Sequence, residues 1–186
     1  DKNILEEYHI RKDRVDFDEG SEASKHVDLN EYQHQALEAI NIGFTEKKPV
    51  LLHGVTSSGK TEVYVKLIQK CLDEGKQALY LLPEIALTSQ LINRLRLYFG
   101  HQVAVYHSKY SVHERVEVWN NVLKSAEKAQ IVIGARSSLF LPFINLGLVV
   151  VDEEHENSFK QFDPAPRYHA RDAAVVLASL HKANIV

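Results

Sequence analysis

The chain has 186 residues, 45 % hydrophobic and 25 % charged, with a formal net charge of −3 and a single cysteine. That is an ordinary globular mixture, long enough for one well-buried domain. The lone Cys71 excludes an internal disulfide framework and a thiolate zinc site, and the slightly acidic balance exerts no global pull toward nucleic acid, so any such binding must come from a local surface.

Residues 1–27 are charged and poorly periodic, and DFDEGSEASK reads as a linker or the tail of a preceding domain. The start DKNILEEYH is no signal peptide and no apolar run approaches a membrane span, which points to a cytoplasmic protein without membrane contact. The ordered domain is expected over 28–186. It begins with LNEYQHQALEAI, where Tyr32, Ala36, Leu37, Ile40 and Phe44 recur at helical spacing and Asn30 suits the N-cap. Gln33 on this helix reads, by itself, as a solvated residue.

From there strands and helices alternate. Strands are expected at 50–53, 78–82, 103–106, 131–134, 147–151 and 184–186, with helices at about 60–74, 85–98, 112–124 and 169–182. Gly75 and Gly100 stand where helix C-termini need them, and Cys71 and Trp119 fall among core positions. Short, continuously apolar strands alternating with helices give an α/β fold, a mainly parallel sheet with helices on both faces. Ligands of such sheets lie beyond the carboxyl ends of the strands.

Gly54-Val55-Thr56-Ser57-Ser58-Gly59-Lys60-Thr61 fits the phosphate-binding loop G-x-x-x-x-G-K-[ST], between an apolar strand and an amphipathic helix. Its glycines let successive N–H groups turn inward as an anion nest, and the helix that starts near Lys60 turns its positive end the same way. Lys60 reaches the β- and γ-phosphates, and the Thr61 hydroxyl ligates Mg²⁺. LGLVVVDEEH, an apolar strand ending in carboxylates, supplies the partner. Asp152 suits the Mg²⁺ hydration shell and Glu153 the orientation and deprotonation of the attacking water. His155 either relays a signal onward or bonds locally. In SFKQFDPAPRYHARD, Phe159, Phe162 and Tyr168 interleave with Lys160, Arg167 and Arg171. Aromatic faces stack unpaired bases and cations hold phosphates, although at least one of these rings is expected to tuck onto the domain.

Together, LLHGVTSSGKTEVY, LLPEIALTSQ, VYHS, GARSSLF, VVVDEEHENSFKQ and PRYHARDAA resemble, in order and spacing, the PriA family of superfamily 2 DExH helicases, from about residue 28 onward. The resemblance implies a RecA-like first lobe of an ATP-dependent 3′-to-5′ DNA helicase acting in replication restart. It implies ATP and Mg²⁺ as cofactors, with single-stranded or forked DNA, primosome proteins and single-strand-binding protein as partners. It implies that Gln33 reads the adenine edge, which an amide does by donating and accepting at once. It assigns DNA-backbone contacts to Glu84 and Thr88 and to Arg136 and Ser137, and a coupling role to the aromatic loop. Structurally, Pro83-Glu84 equally suits a helix start and Ser137 a helix N-cap.

The family usually has glycine where this chain has Ser57, which implies slight strain if the position needs positive φ. The chain ends where the family enters Gly-Ser-Ala-Thr, so the second lobe, its arginine finger and the family's zinc-binding cysteines are expected elsewhere. Two other readings are an SF2 translocase acting on duplex DNA, such as a restriction or chromatin motor, and a non-enzymatic nucleotide-gated interaction module.

Overall fold

The computed structural model describes residues 27–55 and 58–186; what was expected of residues 1–26 lies outside them. The first helix, α1 (Glu31–Thr45), starts where a capping box closes it: Gln33 N–H donates to Asn30 Oδ1 and Asn30 N–H to Gln33 Oε1, both 2.9 Å. α2 (Lys60–Asp73), β1 (Gln77–Leu81), α3 (Ser89–Phe99), β2 (Val103–Tyr106), α4 (Val112–Leu123), β3 (Ile131–Gly134), β4 (Leu146–Val151), α5 (Ala170–His181) and β5 (Asn184–Ile185) follow. Gly75 at φ 70° and Gly100 at φ 55° end α2 and α3, conformations an L side chain resists.

The five strands form one parallel sheet in the order β2-β3-β1-β4-β5. Because successive strand residues point to opposite faces, β1 divides its side chains between two cores. Leu79 and Leu81 pack with α4 and α5, while Ala78 and Tyr80 pack with α1, α2 and α3. Cys71 is buried beside β1, its Sγ donating to Gln77 O at 3.4 Å, and burial pushes the thiol up to about 12. Val27, placed by sequence in the linker, is buried in the second of these cores.

Three expectations need correction. Residues 50–53 form no regular strand. They run beside β5, joined to it by Val50 N–H donating to Ile185 O at 3.1 Å, and β5 contributes only two residues to the sheet. Pro83 opens a single 3-10 turn, Glu84–Ala86, and the helix itself begins at Ser89, where Thr88 Oγ accepts from Leu91 N–H. Trp119 is not core: α4 turns Val118 and Val122 inward, leaving Val112, Val116, Trp119 and Leu123 as an exposed stripe.

Candidate nucleotide site and nucleic-acid surface

The carboxyl ends of β4 and β5, together with the chain before α2, enclose a cleft of about 600 Å³ lined by Pro49 to Val55, Lys60, Tyr64 and Asp152 to His155. Gly59 enters α2 at φ 82°, and no side chain caps the helix. A Cβ at Gly59 would strike the Gln33 amide. Gln33 is thus not a solvated helix residue: its Nε2 donates to Gly59 O at 3.1 Å while its Oε1 holds Asn30 N–H. Thr56 and Ser57, and with them the departure at Ser57, lie outside the described residues.

Lys60 Nζ donates to Gly54 O at 2.7 Å and stands 3.8 Å from Glu153 Oε1. The two halves of the site, 93 residues apart in the chain (153 − 60), therefore converge on one cleft. Asp152 Oδ2 accepts from the Tyr80 hydroxyl at 2.8 Å, and Oδ1 accepts from Glu153 N–H at 3.1 Å. Burial pushes the Asp152 carboxyl above its usual range, the Tyr80 bond opposing. Burial also raises the Tyr64 hydroxyl, and the charges of Asp152 and Glu153 add to it. Glu153 sits at φ 54°, in the left-handed region that any Cβ disfavours. His155 Nε2 is 3.7 Å from Glu153 Oε2.

Thr61, the second residue of α2, and Asp152, which lines the cleft, both offer oxygen donors, the chemistry that suits a hard cation such as Mg²⁺. Among the described residues no group of three or more His, Cys, Asp or Glu could hold a metal alone. A metal here therefore needs phosphate oxygens and water to complete its shell, which is how Mg²⁺ is usually bound.

The residues assigned to DNA divide. Glu84 accepts a hydrogen bond from Ser108 Oγ, tying the ends of β1 and β2 together, and Thr88 caps α3. Arg136 Nη1 donates to Lys160 O at 2.8 Å and so pins the loop that follows DEEH. Ser137 is exposed but is not the N-cap; that position is Ala135, without a side-chain bond. Phe159 is fully buried in the core, which removes it from base stacking. Arg171 is engaged by Glu154 Oε2 at 2.9 Å and Asp172 Oδ1 at 3.0 Å and lines the cleft. Phe162 and Arg167 are exposed, and Tyr168 is half-buried. Sequence reasoning missed Tyr80, which looks like any core strand position yet bonds Asp152.

The DEAD/DEAH box helicase family model matches residues 30–182. The chain is 46 % identical over 160 residues to the replication restart protein PriA of Bacillus subtilis, covering 85 % of this chain and 20 % of that protein. It is 48 % identical over 159 residues to PriA of Rickettsia felis, covering 86 % and 24 %. It thus spans about a fifth to a quarter of the length of the curated relatives it matches. Among solved structures, RecG bound to a three-way DNA junction matches with a TM-score of 0.59 at 25 % identity, covering 85 % of this chain and 24 % of that one. The Type ISP restriction-modification enzyme LlaBIII bound to DNA shares the fold with a TM-score of 0.53 at 17 % identity, covering 87 % and 12 %.

Proposed function

Because the chain belongs to the DEAD/DEAH box helicase family, we propose that it is the first RecA-like lobe, over residues 28–186, of an ATP-dependent 3′-to-5′ DNA helicase of replication restart. This lobe binds ATP and couples its hydrolysis to movement along single-stranded DNA. The proposal rests above all on Lys60 Nζ lying 3.8 Å from Glu153 Oε1 in the cleft that Asp152 also lines.

In this reading the amides of Gly59 to Thr61 cradle the phosphates, and Lys60 exchanges the Gly54 carbonyl for the β- and γ-oxygens. Thr61 and Asp152 hold Mg²⁺, which when bound neutralises charge developing on the transferred phosphoryl group. Glu153 accepts the proton of the attacking water, and His155 beside it reports its state to the DNA side. Gln33 reads the adenine edge by releasing one of its present bonds. Glu84, Thr88, Arg136 and Ser137 follow the DNA backbone, and the loop with Lys160, Phe162, Arg167 and Tyr168 senses its bases. Primosome proteins and single-strand-binding protein are the proposed partners, in the cytoplasm, and any zinc belongs outside the described residues.

In the full-length protein, Glu153→Gln is expected to keep nucleotide binding and lower ATP turnover by roughly two to four powers of ten. Unchanged turnover would overturn the assignment. Single strands should stimulate the ATPase more than duplex; the reverse would favour a duplex translocase.

A further inference from the structure

Phe140 closes the 3-10 turn that Arg136 opens, at the carboxyl end of β3. Its neighbours Leu139, Leu141 and Phe143 are buried, so the backbone is held from both sides while the Phe140 ring itself stands 58 % exposed. Burial explains the neighbours but not an aromatic ring presented rigidly to water. Tyr168, carried on the loop after DEEH, meets it edge to face, with centroids 5.3 Å apart and planes at 82°. Two rings at right angles make a corner: a planar group lying on one face meets the edge of the other.

Arg136 brings positive charge to this corner. Arg136 lies close enough for its charge to oppose the burial that raises the Tyr168 hydroxyl. Its Nη1 donates to Lys160 O, leaving other guanidinium donors for a phosphate. Arg167, next to Tyr168, and Ser137 are exposed. We propose that Phe140 and Tyr168 receive one unpaired nucleobase of single-stranded DNA while Arg136 and Ser137 hold the adjoining phosphate. Phe140 thereby takes the stacking place that buried Phe159 cannot fill. This inference rests on the reading of the lobe as a single-strand motor, and it names the residue that grips a base.

The test separates base from phosphate. The full chain is titrated, at low salt, into fluorescein-labelled oligo-dT and into an abasic oligomer of equal length, with anisotropy as readout. Phe140→Ala should weaken oligo-dT binding about ten-fold and leave the abasic oligomer unaffected, whereas Arg136→Gln should weaken both. In a Trp119→Phe background, Phe140→Trp should restore affinity, and its emission should be quenched by oligo-dT alone. Oligo-dT binding unchanged in Phe140→Ala, or both oligomers weakened equally, overturns the base pocket and leaves the motor reading standing. If the unaltered chain binds neither oligomer, both fall. Thermal melting of Phe140→Ala, expected at the wild-type temperature, shows that the variant remains folded.

Discussion

Tyr80 carries a hydroxyl that reaches the Asp152 carboxylate from inside the sheet, and the ring is fully buried against Tyr64. Removing that hydroxyl leaves a half-buried carboxylate oxygen short of a donor, at a cost of about 1 kcal/mol. Tyr80→Phe should lower the urea midpoint accordingly and raise several-fold the Mg²⁺ concentration that half-saturates nucleotide binding. Glu153 offers the opposite case. At φ 54° its backbone favours glycine, so Glu153→Gly should be about 1 kcal/mol more stable than Glu153→Ala in denaturant, with both inactive in ATP turnover. Neither feature was legible beforehand. Tyr80 and its partner are 72 residues apart, and nothing in alternating apolar residues marks the one whose hydroxyl finds a carboxylate.

At the scale of elements, helix caps and strand edges set the outcome. α4 is closed by a capping box: Glu114 N–H donates to Ser111 Oγ at 3.3 Å, and Ser111 N–H donates to Glu114 Oε2 at 2.7 Å. The Ser111 hydroxyl and amide hold the Glu114 carboxyl below its usual value. A depressed carboxyl stabilises the fold above its unfolded pKa and stops doing so as pH falls through the folded one. Glu114→Gln should therefore destabilise at neutral pH, and the difference in melting temperature should close well below pH 4.5, the ordinary value. Gln77 staples β1 to its surroundings: buried, it donates to Val122 O at 3.1 Å and accepts from Ile144 N–H at 3.1 Å and Asn145 N–H at 3.3 Å. Gln77→Leu should cost about 2–3 kcal/mol in chemical unfolding, because it strands those backbone groups. Helices and all five strands were readable because apolar period and caps agree over them. The start of α3 was not, since Pro83 suits a 3-10 turn as well as a helix. Residues 50–53 were misread because strand propensity says nothing about the length of partner available.

For the whole molecule, the phosphate-loop motif and DEEH stood out in the sequence because both are dense local motifs, and the fold brings Lys60 and Glu153 within 3.8 Å although residues 50–53 form no regular strand. The proposed nucleic-acid surface was only half legible. Composition picked out aromatics among cations, but whether a ring faces core or solvent depends on the path of the loop, which buries Phe159 and leaves Phe162 68 % exposed. This chain alone is expected to bind ATP weakly, hydrolyse it slowly and unwind nothing. Transition-state charge stabilisation by an arginine finger is worth roughly three to five powers of ten in related NTPases, and the resemblance assigns that finger to a second lobe. Steady-state hydrolysis and a fork-unwinding assay against the full-length protein check this; robust unwinding by these 186 residues would refute it.

The single backbone bond from Val50 to Ile185 has a dynamic consequence. The segment leading into the phosphate loop hangs from the margin of the sheet, with Leu51 71 % exposed, while β1 is paired on both sides. Local opening should thus begin there. Amide protons of residues 50–55 should trade with deuterium long before those of β1 and β4, and saturating ADP with magnesium should slow them selectively. Catalytic readiness would then be acquired with the ligand, the loosest margin of the domain tightening as its occupant arrives.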